Sequence, residues 1–431
     1  MPKLLGKFAV DLSPLKKYPD LRYLFFSGLV TRFGSALTLV ALPFQIKELT
    51  HSYIAVGLMG AVEIAPLIVF ALYGGVLADS VDRKRMVWVC ELLALCFSAA
   101  LFGNSLLHKP HLVLLYVVAA GFAAADGLQT PSLGAILPRL VSHEDLPASQ
   151  SLMSLRWQVS AVIGPSVAGI IIATAGVKTA YLIDVISYLL SVLFILRIRA
   201  IPPVAGGATK SIASMFSGIK YAASRKDLLG TYIVDLCAMF FAMPNALFPF
   251  WADQIHSRWA LGFFYAAGTI GAVIVTATSG WMKTFTKNGW AITIAAIGWG
   301  ICISLAGCTN SLWVVLLFLG LAGASDQVSA LCRGNIWNQS IPDEFRGRLA
   351  GLELLSYSVG PLGGQLRAGT FAAISSLRTS VISGGLLCIG LVSFATAKLP
   401  EFRNFDLKTN RYAIEQREKR SGRKDGEEES S

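Results

Sequence analysis

Eight charged residues sit within long apolar stretches of this 431-residue chain: Arg32, Glu63, Asp126, Arg156, Asp184, Asp235, Asp326 and Glu353. A charge at the centre of a membrane-spanning helix costs about 2.5–3.5 kcal/mol on insertion scales, so each needs a role or a partner. A carboxylate that alternates between a dry environment and the neighbourhood of a cation binds a proton in one and releases it in the other. Glu63, just before Pro66, together with Asp126 and Asp326, are the proton-coupling candidates. Arg32 and Arg156 are read as their partners or as contacts for an anionic substrate. Asp184, Asp235 and Glu353 complete the substrate or ion-pair candidates. The alternative for each residue is a fixed ion pair, for example between Asp126 and Arg156, that only holds helices in register. Glu91 stands too near the end of its stretch to rank with these. Arg333, at the end of another, counts with the loop that follows.

Other chemistries find no support in the residue pattern. There is no HExxH, no GxSxG, no P-loop and no Cys/His pairing at a shared depth. The seven Cys (90, 96, 237, 302, 308, 332 and 388) fall in apolar runs or at their ends without CxxC spacing, and read as packing residues. No metal, cofactor or catalytic residue is expected, and ATP is not the energy source within this chain. Aromatic residues such as Trp157, Phe240, Phe241 and Trp251 suit either a pocket for a flat organic molecule or an interfacial belt, and Phe248–Trp251 reads as belt.

The elements that must hold these charges follow from composition. Apolar residues make up 54% of the chain and charged ones 15%, with a mean hydropathy of +0.59. A soluble domain averages about 25% charged residues. So few charges exclude a disordered chain, a coiled coil or a nucleic-acid-binding domain, and leave an all-α polytopic membrane protein. Runs of about 20 apolar residues, the length needed to cross a bilayer, occur at 22–47, 53–78, 86–107, 111–134, 150–174, 177–197, 228–250, 259–282, 290–308, 311–334, 348–370 and 378–398. That makes 12 transmembrane helices. The net charge of +11 is distributed one-sidedly: of 37 Lys and Arg, 29 lie in the termini and in alternate loops. By the positive-inside rule both termini are cytoplasmic. No cleavable signal peptide precedes the first run, so insertion through the chain's own first helices is expected.

Comparing runs about 200 positions apart reveals a repeat. GFAAADGLQ carries Asp126 and GLAGASDQV carries Asp326, each 15 residues into its run, or about 22 Å along a helix. GPSVAG (Gly164, Pro165, Gly169) is matched by GPLGG (Gly360, Pro361, Gly364), with Arg156 and Glu353 upstream. These motifs read as close-packing faces with a proline that frees a carbonyl. The expected organisation is a cytoplasmic N-terminal segment (1–21), a six-helix bundle (22–197), a cytoplasmic linker (198–227), a second six-helix bundle (228–398) and a disordered cytoplasmic tail (399–431). The two bundles should be pseudo-symmetric about an axis along the membrane normal.

Between the second and third runs stands GGVLADSVDRKR (74–85). It resembles the signature loop of the major facilitator superfamily, G-x-L-A-D-R-x-G-R-[KR], through Gly75, Leu77, Ala78, Asp79, Arg83 and Lys84, with Ser80 and Asp82 in place of Arg and Gly. The resemblance implies an inner gate in which Asp79 faces a helix N-terminus, an arrangement typically worth about 0.3–1 kcal/mol. GPSVAG is similar to the superfamily's export-associated G-P-x-x-G-G. LSPLKKYPDLR, TRFGSAL, YLIDVISYLLS and IPDEFRGRLAGLELL resemble drug:H+ antiporter-like bacterial exporters, most of all the enterobactin (siderophore) exporter type. The likeness spans residues 8–400.

That resemblance implies an inner-membrane exporter of a small amphipathic organic molecule, coupled to protons, in contact with the lipid bilayer, with no nucleic-acid partner and complete as a monomer. A lipid or lysophospholipid flippase on the same fold is the alternative within transport. A non-transporting receptor or scaffold is the alternative outside it.

Overall fold

The computed structural model describes residues 11–202, 220–283 and 285–428, and in this range the chain forms helices joined by short turns without a strand. Fifteen α-helices are numbered in chain order. The first five are α1 (Ser13–Lys17), α2 (Pro19–Thr50), α3 (Tyr53–Ser80), α4 (Arg83–Leu106) and α5 (Leu112–Leu140). Then come α6 (Leu146–Leu196), α7 (Lys226–Ala242), α8 (Phe248–Gln254), α9 (Leu261–Ala277) and α10 (Asn288–Gly307). The last are α11 (Leu312–Ser340), α12 (Asp343–Ile374), α13 (Leu377–Lys398), α14 (Pro400–Arg403) and α15 (Arg411–Glu428). Among the described residues, ten helical segments are long and apolar enough to cross a membrane.

Local sequence explains most of the boundaries. Proline occupies the first turn of α1, α2, α6 and α14, where its missing N–H costs nothing. Asp82 caps α4 by accepting from the Arg85 N–H at 2.9 Å, and Ser376 caps α13 by accepting from the Thr379 N–H at 3.1 Å. At 51 residues, α6 would measure ~76 Å, far beyond a bilayer's hydrocarbon core. It is broken at Gly176, whose φ of +79° is open only to a residue without Cβ. The break separates the runs 150–174 and 177–197.

Three expectations change. The run 228–250 is not one helix: α7 stops at Ala242, Met243 is extended before Pro244, and a 3₁₀ turn leads into α8. A residue preceding proline is driven out of the helical region, and proline has no N–H to continue the ladder. The polar stretch after 398, read as disordered, contains α14 and α15, anchored by buried Phe402, Phe405, Leu407 and Ala413. Phe248 and Trp251, read as an interfacial belt, are buried.

Contacts between Cα atoms divide the chain into two units. The first comprises Met1–His51, Val62–Thr209 and Ala252–Ala266. In it α2 packs along α6, and α4 packs on α5 and α6. An apolar cluster of Leu21, Leu24, Val87, Ile136, Leu140 and Ile195 closes one end. The second unit comprises Ser52–Ala61, Lys210–Trp251 and Ala267–Ser431. There α10 packs on α11 and α13, while α7 packs on α12 and α13. Each unit therefore takes in a short segment from the other half of the sequence, and those segments lie about 200 positions apart.

Candidate functional site

In the first unit the buried polar groups form two hydroxyl-rich nodes. Asp184 is fully buried and accepts from Thr38 Oγ1 at 2.6 Å and Ser98 Oγ at 2.9 Å, joining α2, α4 and α6. Ser187 Oγ lies 3.4 Å from its Oδ1, and the Gly34 backbone packs against both residues. Glu91 is buried as well. Its Oε2 accepts from Thr31 Oγ1 at 3.0 Å and Ser191 Oγ at 2.7 Å, and its Oε1 from Gln129 Nε2 at 3.1 Å. Ser27 Oγ, 2.7 Å from Ser191 Oγ, extends the chain. Hydrogen-bonded carboxylates of this kind offset the cost of burial without a cation.

Arg32, Glu63, Asp126 and Arg156 also belong to the first unit. Arg156 Nη1 donates to the Leu24 carbonyl at 3.0 Å, so its partner is the backbone of α2 and no ion pair with Asp126 forms among the described residues. Arg32 and Asp126 are exposed and Glu63 half-buried, and none of the three is hydrogen-bonded or ion-paired through its side chain among the described residues. Trp157 is exposed, and in the second unit Phe240 and Phe241 are half-buried and edge-on to each other.

The signature loop is held by backbone contacts. Arg83 Nη1 donates to Ala135 O at 3.1 Å and Lys84 Nζ to Leu196 O at 3.1 Å. Asp82 Oδ2 accepts from the Ile201 N–H at 2.8 Å, so this residue both caps α4 and ties it to the chain leaving α6. The side chains of Gly75, Asp79 and Glu353 lie outside the described residues.

The glycine motifs mark close helix crossings inside each unit. Gly164 faces Ala36 of α2, and Gly169 meets the backbone of Gly262 at the start of α9. Pro165 O also abuts Gly262. In the second unit Gly360 and Gly364 press on Met239 and Phe240 of α7, and Gly369 meets Tyr53 O and Gly57 at the start of α3. Gly169 and Gly369 are 200 positions apart and make equivalent glycine-on-glycine contacts. The repeat is thus a repeat of packing as well as of sequence. Lys47, buried at the end of α2, pairs with Asp253 and with Glu48, and Arg258 Nε lies 2.7 Å from Asp253 Oδ1.

The second unit holds a charge cluster centred on Arg333, which lies inside α11 and is buried. Its guanidinium pairs closely with Asp235 of α7 and stands 3.7 Å from Asp326. Ser356 Oγ of α12 donates to Asp235 Oδ2 at 2.8 Å. Hydropathy alone counts Arg333 with the following loop and misses this pairing; its place seven residues after Asp326, two turns on along the same helical face, is the signal that could have found it. Nearby, Arg225 forms a bidentate contact with Asp227 at 2.7 and 3.1 Å and donates to Ser340 O at 2.7 Å, with Tyr412 stacked 3.8 Å from its centre.

The family model described as transmembrane secretion effector, MFS_3, matches residues 9–422. The chain belongs to that family. Membership in this branch of the major facilitator superfamily makes it a membrane transporter rather than an enzyme. Among its relatives, the enterobactin exporter EntS of Escherichia coli O1:K1 / APEC is 28% identical over 402 residues, covering 92% of this chain and 95% of the relative. A POT family transporter solved with 5-aminolevulinic acid has a TM-score of 0.73 at 13% identity, over 89% of this chain and 97% of that one. The nucleoside transporter NupG gives a TM-score of 0.65 at 14% identity, over 89% and 98%. The MFS_3 chain thus shares the transporter fold of proteins with very different sequences.

Proposed function

We propose that this protein exports a small amphipathic organic molecule, siderophore-like or drug-like, across the bacterial inner membrane in exchange for protons. The observation that carries the export reading is likeness along nearly the full length of both chains, 92% and 95%, to an enterobactin exporter. We propose twelve spans in two six-helix bundles, 22–197 and 228–398, with rocking-bundle alternating access and both termini cytoplasmic. The protein would act as a monomer. The one-sided distribution of Lys and Arg supports the orientation.

Proton coupling is assigned to Asp326, Asp126 and Glu63. Asp235 holds Ser356 and the closer contact with Arg333, whereas Asp326 stands 3.7 Å from that guanidinium with its side chain 38% exposed. That asymmetry supports Asp326 as the carboxylate that exchanges a proton and Asp235 as the anchor of the cation. Asp79 would latch the inner gate and Glu353 would serve the inner half of α12.

Proteoliposomes with an imposed pH gradient test the reading. Substrate movement should follow the gradient and fall in Asp326→Asn, Asp126→Asn and Glu63→Gln. Full gradient-driven transport with all three neutralised would overturn the coupling assignment.

A further inference from the structure

Two cations in the first unit share one face of α2 without a bonded carboxylate. Leu24, Gly28 and Arg32 recur at four-residue intervals, which stacks them along one side of the helix with about 5–6 Å between successive Cβ positions. Arg156 reaches across from α6 to this face. Its Nη1 donates to Leu24 O at 3.0 Å, and its guanidinium lies on the bare backbone of Gly28, where a Cβ would stand 2.5 Å from Cζ. The Nε–H of Arg156 is buried and has no hydrogen-bond partner. One turn beyond Gly28, Arg32 is exposed and bonds to nothing among the described residues.

The nearby carboxylates do not use up these donors. Both oxygens of Glu91 are taken by Thr31, Ser191 and Gln129. Asp126 is exposed and bonds to neither arginine among the described residues. A cation within an apolar protein is costly without a partner, and neither guanidinium on this face bonds a carboxylate among the described residues. A guanidinium fork matches the planar geometry of an oxyanion, and two forks on one helix face suit one anionic group.

Resting on the transporter reading above, we infer that Arg32 and Arg156 bind an oxyanion of the transported molecule: a carboxylate, phosphate, sulfonate or ionised catechol. Arg156 is the preorganised half, held by Leu24 O and admitted by Gly28. Arg32 is the accessible half, which the anion reaches first. Asp126 competes with the incoming anion for Arg32. The same chemistry fits an organic anion or the headgroup of an anionic lysophospholipid.

Equilibrium binding to the full chain in nanodiscs tests this without any pH gradient, so it can fail while gradient-driven transport of another molecule persists. The probes are salicylate, its neutral counterpart salicylamide, and lysophosphatidylglycerol. Saturable salicylate binding is expected, with salicylamide unable to displace it at equal concentration. Arg32→Gln should weaken salicylate by at least about tenfold, ~1.4 kcal/mol, with Arg32→Lys intermediate and Asp126→Asn tighter than the parent. Because Arg156→Gln risks misfolding, Gly28→Ala serves as the second variant: it keeps the charge, displaces the guanidinium, and should also weaken the anion. Saturable lysophosphatidylglycerol binding with the same Arg32 dependence, and no salicylate binding, would support the site and assign the oxyanion to a lipid headgroup. Equal binding of salicylamide, unchanged anion binding in Arg32→Gln, or no saturable binding of either anion would overturn the inference.

Discussion

The guanidinium of Arg156 rests against the backbone of Gly28, and its Nη1 donates to the Leu24 carbonyl one turn earlier. A long cation from α6 can lie this close to α2 only because position 28 lacks a side chain. The contact explains why the alternative of a fixed Asp126–Arg156 ion pair is not realised among the described residues: the arginine is committed to a neighbouring helix backbone.

In the second unit, Arg333 and Asp235 are both buried and each is the other's neutraliser. Removing one partner of such a pair strands a charge, typically at a cost of about 3–5 kcal/mol. Arg333→Gln should therefore lower the thermal unfolding temperature of the purified protein strongly. The double change Arg333→Gln with Asp235→Asn should recover much of that loss.

The Phe402 ring packs on Gly230 while its backbone carbonyl abuts Gly289, and the residue is fully buried. Phe402→Ala should destabilise the protein by about 3–5 kcal/mol, read as a fall in melting temperature. Truncation after residue 399 should do at least as much, since Asn410 Nδ2 also donates to Asp227 and the Leu407 N–H to Thr286 O.

Gly262 sits directly on Pro165 O, and Gly169 on Gly262. Gly262→Val should force the two backbones apart, lowering both the yield of folded protein and transport in proteoliposomes. Gly369→Val should mirror it at the contact with Tyr53 O and Gly57. Substitution at Gly134, which has open space around it, should leave both readouts unchanged.

Outside the spans, Lys17 Nζ and Tyr18 Oη both donate to Asp145 Oδ2, at 2.6 and 2.7 Å. The lysine contact, then the tyrosine, holds the Asp145 carboxyl below the ordinary value of 3.8, and the same hydrogen bond raises Lys17 above 10.5. A lowered carboxylate stabilises fully above its unfolded value and loses that effect as pH falls through the folded one. A raised lysine stabilises fully below its unfolded value and loses the effect as pH rises through the folded one. The α1 contact should therefore hold between about pH 4 and 10. Hydrogen exchange of the segment 13–18 should rise below that window in the parent, and should be fast throughout in Asp145→Asn.

The sequence by itself determined the membrane class, the helical composition and the repeat, because these rest on averages and periods that survive any packing. It also placed the break near Gly176, since only glycine adopts that backbone without strain and the apolar runs stop on either side. Which charges meet was a matter of tertiary structure. Hydropathy assigns Glu91 and Arg333 to the ends of their runs, yet neighbouring helices bury both, one among hydroxyls and one between two aspartates. Trp251 and Phe402 followed the same logic: their apolar character was plain, but whether it faced lipid, solvent or protein depended on residues far away in the chain. One-dimensional patterns state what a side chain prefers, and only the packed helices decide which partner supplies it.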